Sequence, residues 1–556
     1  MLARTSSYLL QGIDALFCEV EVDFDDRDDM DESRTNIVGL PDAAVRESMD
    51  RVRAALFNSG AFWPKGRTLI NLAPADNRKE GPLYDLPIAV ALLMIQNIIP
   101  QAGSPIKIVK KSKTVAASAP RGKPGNTDPL QVLQAELDGL IVAEPEPVEP
   151  LDVRQYLIAG ELALDGRVRP IKGVIAMASL AKNMGLRGVI VPKENAAEAA
   201  VVPGVEAIGV STLMEVIGLC TGRIAPEVCP PLDIASVLTT ALADIDFGEV
   251  KGQEGVKRAI TIAAAGGHNL LMLGPAGTGK SMMAKALPGV LPPLSPEEAI
   301  EITRIYSAAG ALPPGKGLVT VRPVRTPHHT ASGAAVIGGG SVPKPGEVSL
   351  AHRGVLFLDE LPEFPREVLE TLRQPLEDHV VTIARSHSAV RFPANFMLVA
   401  AMNPTPKGDV PHNEVGRKQM ERYLAKLSGP LIDRIDIHVE APAVPWKQLT
   451  STTANGTTSA QMRETVLRAR ARQIARQGAM TPNSRLGPKK LDALAPMTDE
   501  ARATLGTAMT ELGLSARAYD KIRRVARTIA DMEGVDMLTI NHIGEAIGYR
   551  LLDRKV

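Results

Sequence analysis

The stretch Leu270 to Ser281, LLMLGPAGTGKS, constrains this chain more than any other. Four apolar residues, Leu270 to Leu273, stop at Gly274. Then Gly274, Pro275, Ala276, Gly277, Thr278, Gly279, Lys280 and Ser281 complete the pattern G-x-x-x-x-G-K-S. The next residues, from Met282, have helical character until Pro288 and Gly289 end it. Strand, glycine loop and helix is the context in which such a loop cradles phosphate; a chance glycine turn would lack it. Glycines let successive backbone N–H groups turn inward, because no side chain blocks the approach. The new helix adds the positive end of its dipole. Lys280 is expected to reach the β- and γ-phosphates of ATP, and the Ser281 hydroxyl to ligand Mg2+, with residues 274–282 lining the nucleotide.

A second element is GVLFLDE, Gly354 to Glu360. An apolar run ending in two carboxylates reads as a buried parallel strand with acids at its carboxyl end. Asp359 is expected to hold Mg2+, and Glu360 to orient and activate the attacking water. Such a pair is common by itself; its weight comes from sharing one domain with the glycine loop. The run FMLVAAMN, Phe396 to Asn403, also ends in one polar residue. Its Asn403 stands where an amide can hydrogen-bond the water or the γ-phosphate, the sensor-1 role. LSGPLIDRIDIHVE carries Arg434 at a helix-to-strand junction. In a ring, Arg434 would point at the neighbouring subunit's ATP and stabilise the transition state. Alone, an arginine there balances a helix dipole. In LSARAYDKIRRVARTIADMEG, Ser515 can cap a helix and Arg517 lies in its first turn, where a sensor-2 arginine sits. Arg523 and Arg524 are rivals for that role. Val250, Gly252 and Gln253 precede the first strand and are candidates for touching adenine, or for core packing.

The chain has 556 residues, room for about three or four domains. Its formal net charge is +0, so nothing in the bulk charge draws it to a polyanion. DNA binding would rest on local basic patches. The three cysteines, Cys18, Cys220 and Cys229, form no metal or redox pattern and suit a reducing cytosol. No charged leader with a long apolar core occurs, nor any apolar run of about eighteen residues. A cytoplasmic protein without a membrane partner is expected.

Along the chain, Leu16 to Phe24 alternates as a strand does, and Asp25 to Glu32 is an acidic turn. A helix opens at Pro41 or Asp42 and closes at Gly60; Arg67 to Leu72 is a further strand. Asp85 to Ile95 reads as a helix with one apolar face. No period survives from about 101 to 150, a Pro-, Ala- and Gly-rich stretch between basic and acidic clusters, read as a disordered insertion. Order returns with two short strands joined at Asp165-Gly166, the helix Gly173 to Asn183, the strand Gly188 to Pro192, and a helix-like KENAAEAA.

GELALDGRVRPIKGV, RGVIVPKENAAEAA and KEGPLYDLPIAVALL resemble the proteolytic domain of Lon proteases. The departures decide what that implies. Leu83 stands where the nucleophilic serine would, and Ile175 where the activating lysine would. Neither can do that chemistry. A Lon-like fold without peptidase activity is expected.

PVRTPHHTASGAAVIGGGSVPKPGEVSLAHRGVLFLDELPEF, Pro323 to Phe364, resembles the magnesium-chelatase-like AAA+ proteins of the YifB and ComM type, and the likeness spans nearly the whole chain. The resemblance implies an α/β protein: an AAA+ P-loop αβα core with a helical lid, preceded by an α+β Lon-like (ribosomal S5-like) domain. The boundaries implied are 1–230 for the inactive Lon-like domain, 236–445 for the core with its helix-2 insert, 446–460 for a linker and 461–556 for the lid. It further implies an ATP-hydrolysing homo-hexamer that acts on single-stranded or branched DNA as a branch-migration helicase. Two rivals stand beside it: a magnesium-chelatase-type ATPase remodelling a metal-insertion partner, and an ATP-binding regulatory scaffold. Relatives often carry cysteines after the sensor-1 asparagine; Asn403 to Lys418 carries none.

For gripping a polymer, Val380 to Ala384 and Ala389 to Phe392 alternate around a polar tip, as a hairpin does. Arg385, His387 and Arg391 are its candidate phosphate contacts, with a solvated structural hairpin as the alternative. His328 and His329 are neighbours expected to point to opposite faces, which disfavours a metal pair. Arg468, Arg472 and Arg476 share one helical face, either a nucleic-acid stripe, a solvated face or the partner of an acidic surface.

Overall fold

The computed structural model describes residues 1–25, 34–100, 148–239, 245–340, 343–384, 389–404, 423, 426–445, 456–478 and 481–553. These form two compact units, Met1–Leu10 with Ala15–Leu232, and Gln11–Asp14 with Asp233–Val556. The acidic turn, the 101–147 stretch and the hairpin tip at 385–388 lie outside the described residues, as does most of the 446–460 segment.

Alternation builds the first unit. Strand β2 (Asp14–Asp25) buries Cys18, Val20 and Val22 and turns the residues between them outward. With β1 (Leu2–Gln11), β3 (Arg34–Val38), β4 (Arg67–Ala73), β5 (Tyr156–Ile158), β8 (Gly188–Pro192) and β9 (Glu206–Val210) it makes a mixed sheet ordered β3-β4-β2-β1-β5-β8-β9. Between β5 and β8, β6 (Glu161–Leu162) and β7 (Val168–Arg169) form the small hairpin turned at Gly166, φ +84°. Helix α1 (Ala43–Asn58) starts where Asp42 Oδ1 accepts from the Val45 N–H at 2.7 Å.

Helix α2 (Asp85–Ile95) departs from expectation: all eleven residues are buried, so it has no polar face. A helix apolar all round belongs inside a core. Its one charge, Asp85, is met by Arg51 at 2.7 and 3.1 Å and by the Leu162 N–H at 3.2 Å. Leu83 packs against this core, and Ile175 is buried in α3 (Val174–Asn183).

The second unit is built on a parallel sheet ordered β11-β14-β17-β10-β18. Its strands are β10 (Leu270–Leu273), β11 (Val324–Arg325), β14 (Val355–Leu358), β17 (Met397–Met402) and β18 (Ile437–Glu440). Between β11 and β14, β12 (Gly338–Gly339) pairs with β13 (Lys344–Pro345). Between β14 and β17 stands the hairpin of β15 (Val380–Ala384) and β16 (Ala389–Pro393).

The central strands are apolar without interruption because both faces are covered. Leu270, Met272, Val355, Phe357 and Val399 point into one core, while Leu271, Leu356, Leu358, Leu398 and Ala400 point into the other. The first core is closed by α4 (Glu254–Gly266) and the C-terminal helices α5 (Ser459–Gln477), α6 (Pro488–Leu494), α7 (Asp499–Glu511), α8 (Ala516–Glu533) and α9 (Ile540–Gly548). Val250 to Ala265 suits a helix in sequence, but helix α4 begins at Glu254, because Gln253 takes a left-handed φ of +61°. Among the described residues no helix is long and apolar enough to cross a membrane.

Candidate active site

Parallel pairing places the carboxyl ends of all five strands along one edge, and β14, β17 and β10 are direct neighbours there. The glycine loop follows β10, Asp359 and Glu360 follow β14, and Asn403 follows β17. Three separate runs of sequence thus deliver their polar residues to one place, the crevice where open α/β sheets bind ligands.

Glycine is required at the loop's start by space: a Cβ on Gly274 would lie 2.1 Å from the Ala441 carbonyl oxygen. Gly277 and Gly279 take φ of +78° and +84°, which other residues adopt only with strain. The helical turn Lys280–Ala286 begins on the lysine itself. Lys280 Nζ donates to the carbonyls of Gly274 and Pro275, each at 2.8 Å, and to Asn403 Oδ1 at 3.3 Å. Burial draws the Lys280 ammonium pKa down, opposed by the charges of Asp359 and Glu360. Ser281 Oγ donates to Asp359 Oδ2 at 2.7 Å, and Asp359 Oδ1 accepts from the Glu360 N–H at 3.0 Å. Thr278 Oγ1 closes the loop on the Pro275 carbonyl at 3.1 Å. Ala276 is exposed and Met282 half-buried against the core.

Gln253 donates to the Pro442 carbonyl at 2.6 Å and approaches the Thr278 carbonyl at 3.5 Å, so it abuts the loop. Val250 is instead part of the core.

One neighbour of the acids escaped sequence reasoning. His329 Nδ1 lies 3.4 Å from Glu360 Oε2. His328 and His329 do not point apart, as their adjacency predicts; their rings lie against each other, tilted by 33°, with centroids 4.1 Å apart. The chain leaves the extended conformation at the Thr330 turn, where His328 Nδ1 accepts from the Thr330 N–H at 3.3 Å. The missing signal was β11, too short at two residues to show a period.

Arg434 and Arg517 are not brought to the loop. Strand β18 begins level with Leu270, and the Arg434 carbonyl accepts from Asn269 Nδ2 at 2.8 Å, at the amino edge of the sheet. A four-residue strand, roughly 13 Å, separates that edge from Gly274. Arg434 donates to the Pro430 carbonyl at 2.6 Å and pairs with Glu377. Arg517 Nη1 meets Asp433 Oδ2 at 3.1 Å. Both line one cleft of about 430 Å³, with Lys521 and Arg524. Of the rival arginines, Arg523 is buried and paired with Asp492, and Arg524 donates to the Leu486 carbonyl.

Arg391 is exposed on β16, opposite Thr382; Arg385 and His387 lie outside the described residues. Two of the three arginines on that face of α5 meet acids, Arg476 with Asp531 and Arg472 with Asp536, while Arg468 is exposed and reaches Thr465 Oγ1 at 3.5 Å. The acidic-partner reading holds for the first two.

A five-stranded parallel sheet carrying this loop, two acids and a polar third strand end defines a P-loop protein with an AAA+ core. The profile "Magnesium chelatase, subunit ChlI" matches residues 246–449, its C-terminal counterpart matches 456–550, and "Subunit ChlI of Mg-chelatase" matches 20–112 and 139–195. Competence protein ComM of Haemophilus influenzae is 40% identical over 524 residues, 93% of this chain and 92% of the relative. The YifB protein of Escherichia coli is 41% identical over 520 residues, with the same shares. The magnesium-chelatase 38 kDa subunit of Rhodobacter capsulatus is 27% identical over 183 residues, 30% of this chain and 51% of the relative. The chain belongs to the magnesium-chelatase-like AAA+ family of YifB and ComM.

Proposed function

We propose that this protein is an ATP-hydrolysing ring motor that moves DNA, with each catalytic site shared by two subunits. The observation that carries the reading is the division of the site. Lys280, Ser281, Asp359, Glu360 and Asn403 gather at the carboxyl edge of the sheet, while Arg434 and Arg517 stand at the amino edge. In this reading, arginines held away from their own phosphate loop are lent to a neighbour's.

The loop fits a triphosphate: two left-handed glycines and a buried ammonium line it. Ser281 Oγ and Asp359 Oδ2, 2.7 Å apart, are hard oxygen donors of the kind Mg2+ takes. When bound, Mg2+ neutralises charge on the phosphate oxygens. In this reading Lys280 binds the β- and γ-phosphates, Asn403 holds the water or the γ-phosphate, and Glu360 takes the proton of the attacking water. Arg434 and Arg517 act on the adjacent subunit's ATP. The homo-hexamer and the DNA substrate follow from the resemblance to ComM, and the exposed Arg391 offers one phosphate contact. Residues 1–230 are read as a Lon-like domain without protease chemistry, since Leu83 and Ile175 are apolar.

The second reading, a chelatase-type motor serving a metal-insertion partner, draws on the likeness to the 38 kDa chelatase subunit. ATP turnover measured with and without forked or single-stranded DNA separates them. The motor reading expects stimulation that fades steeply with salt. Turnover indifferent to every DNA form rejects it.

A further inference from the structure

We propose that His329 is a positioning residue that aims the Glu360 carboxylate at the water it activates. The inference rests on the ATP-hydrolysing reading of the same site and deepens it.

Strand β11 pairs in parallel with β14, Val324 opposite Val355 and Arg325 opposite Leu356. Both chains then leave the sheet at the same edge. Arg325 fixes this exit through two bonds to Glu347, at 2.6 and 2.7 Å. Pro327 keeps the residue before it extended. The next residues, His328 and His329, therefore land beside the acids that follow β14.

The His329 ring is held on two sides. His328 lies against it at a tilt of 33°, and Phe364 meets it edge-on with centroids 6.4 Å apart at 81°. His328 is itself tied to Thr330, Nδ1 to Oγ1 at 2.8 Å. Held this way, His329 presents Nδ1 at 3.4 Å from Glu360 Oε2.

Glu360 needs such a hold. Its backbone sits at φ +50°, a left-handed conformation uncommon for a glutamate, and its side chain is about half exposed. The backbone N–H is committed to Asp359. A half-exposed glutamate has several rotamers, and a general base works only from the one that meets the water. A restrained imidazole beside the carboxylate selects among them.

The test is steady-state ATP hydrolysis by the full chain, comparing His329→Ala and His329→Asn, each alone and with Glu360→Gln. His329→Ala is expected to lower kcat about 10- to 100-fold, with KM for ATP within about twofold. His329→Asn, which keeps a donor near the carboxylate, recovers part of the loss. In the Glu360→Gln background His329→Ala costs little more, because the group it aims is already gone. Binding of a fluorescent ATP analogue, equal in all variants, certifies the fold. Unchanged or raised kcat in His329→Ala, a parallel loss of binding, or a full additional loss in the Glu360→Gln background overturns the inference. Wild-type protein that does not hydrolyse ATP under any condition overturns the parent reading as well; wild-type turnover with an indifferent His329→Ala overturns this inference alone.

Discussion

A buried carboxylate is stable as an anion only where donors replace water, and Asp436 shows how closely this fold depends on that. It stands immediately before β18. Burial works against its charge, but the His268 Nδ1 contact at 3.2 Å and the Lys521 ammonium at 3.9 Å hold its pKa down to about 2. The sign follows directly. A carboxyl depressed in the folded state adds stability above its unfolded pKa, about 3.9, and loses it as pH falls through the folded value. Asp436 is therefore expected to contribute about 2 kcal/mol near neutrality, lost between about pH 4 and pH 2. Denaturant midpoints measured across that range should fall for the wild type and lie flatter for Asp436→Asn. Equal slopes would show that the pair carries no net stability. At the same scale, short local patterns in the sequence marked Lys280, Ser281, Asp359 and Glu360, which the fold gathers at one sheet edge. It did not disclose Asp436, whose partners lie 168 and 85 residues away and come together only on folding.

Among elements, the C-terminal helices are joined by charge as much as by apolar packing. Asp531 on α8 is fully buried and accepts from Arg476 of α5 at 2.6 and 2.8 Å, from Asn483 at 2.8 Å, and from Arg527 at 3.0 Å. Removing the acid takes the buried carboxylate partner from two guanidiniums, one of them almost wholly buried. Asp531→Ala is expected to cost about 3–5 kcal/mol and to raise hydrogen exchange in α5 and α8 while leaving the N-terminal unit unchanged. Uniform exchange in both proteins would refute the coupling. Elements of this size were legible where one physical signal ruled. Capping residues marked α1 and α8, and the apolar runs marked β10, β14 and β17, since each signal is local. Reading failed where tertiary context decided. Helix α2 shows the same apolar run whether one face or all faces are buried. The start of α4 depends on the left-handed Gln253, and β11 on a neighbour more than thirty residues away.

At the scale of the whole molecule, the division of the site makes a statement about assembly that a single chain can be asked to confirm. In the proposed ring, subunits joined head to tail would present unlike faces to each other, so every interface would pair one phosphate loop with the next subunit's arginines. Take two inactive proteins, Lys280→Ala and Arg434→Ala. The first keeps its arginines but has no working loop; the second keeps its loop but has lost one of the two arginines it would lend. Neither is expected to hydrolyse ATP alone. Mixed in equal amounts, an interface with the Arg434→Ala loop on one side and the Lys280→Ala arginine on the other is intact. Random assembly makes roughly one quarter of interfaces of that kind, so turnover should return towards that fraction of wild type and depend on the mixing ratio with a maximum near equality. Arg517→Ala in place of Arg434→Ala should behave alike, because both arginines share the cleft at the amino edge. A mixture no more active than its parts, although assembled by mass measurement, would mean that each chain completes its own site, and that the arginines move across the sheet edge to do so.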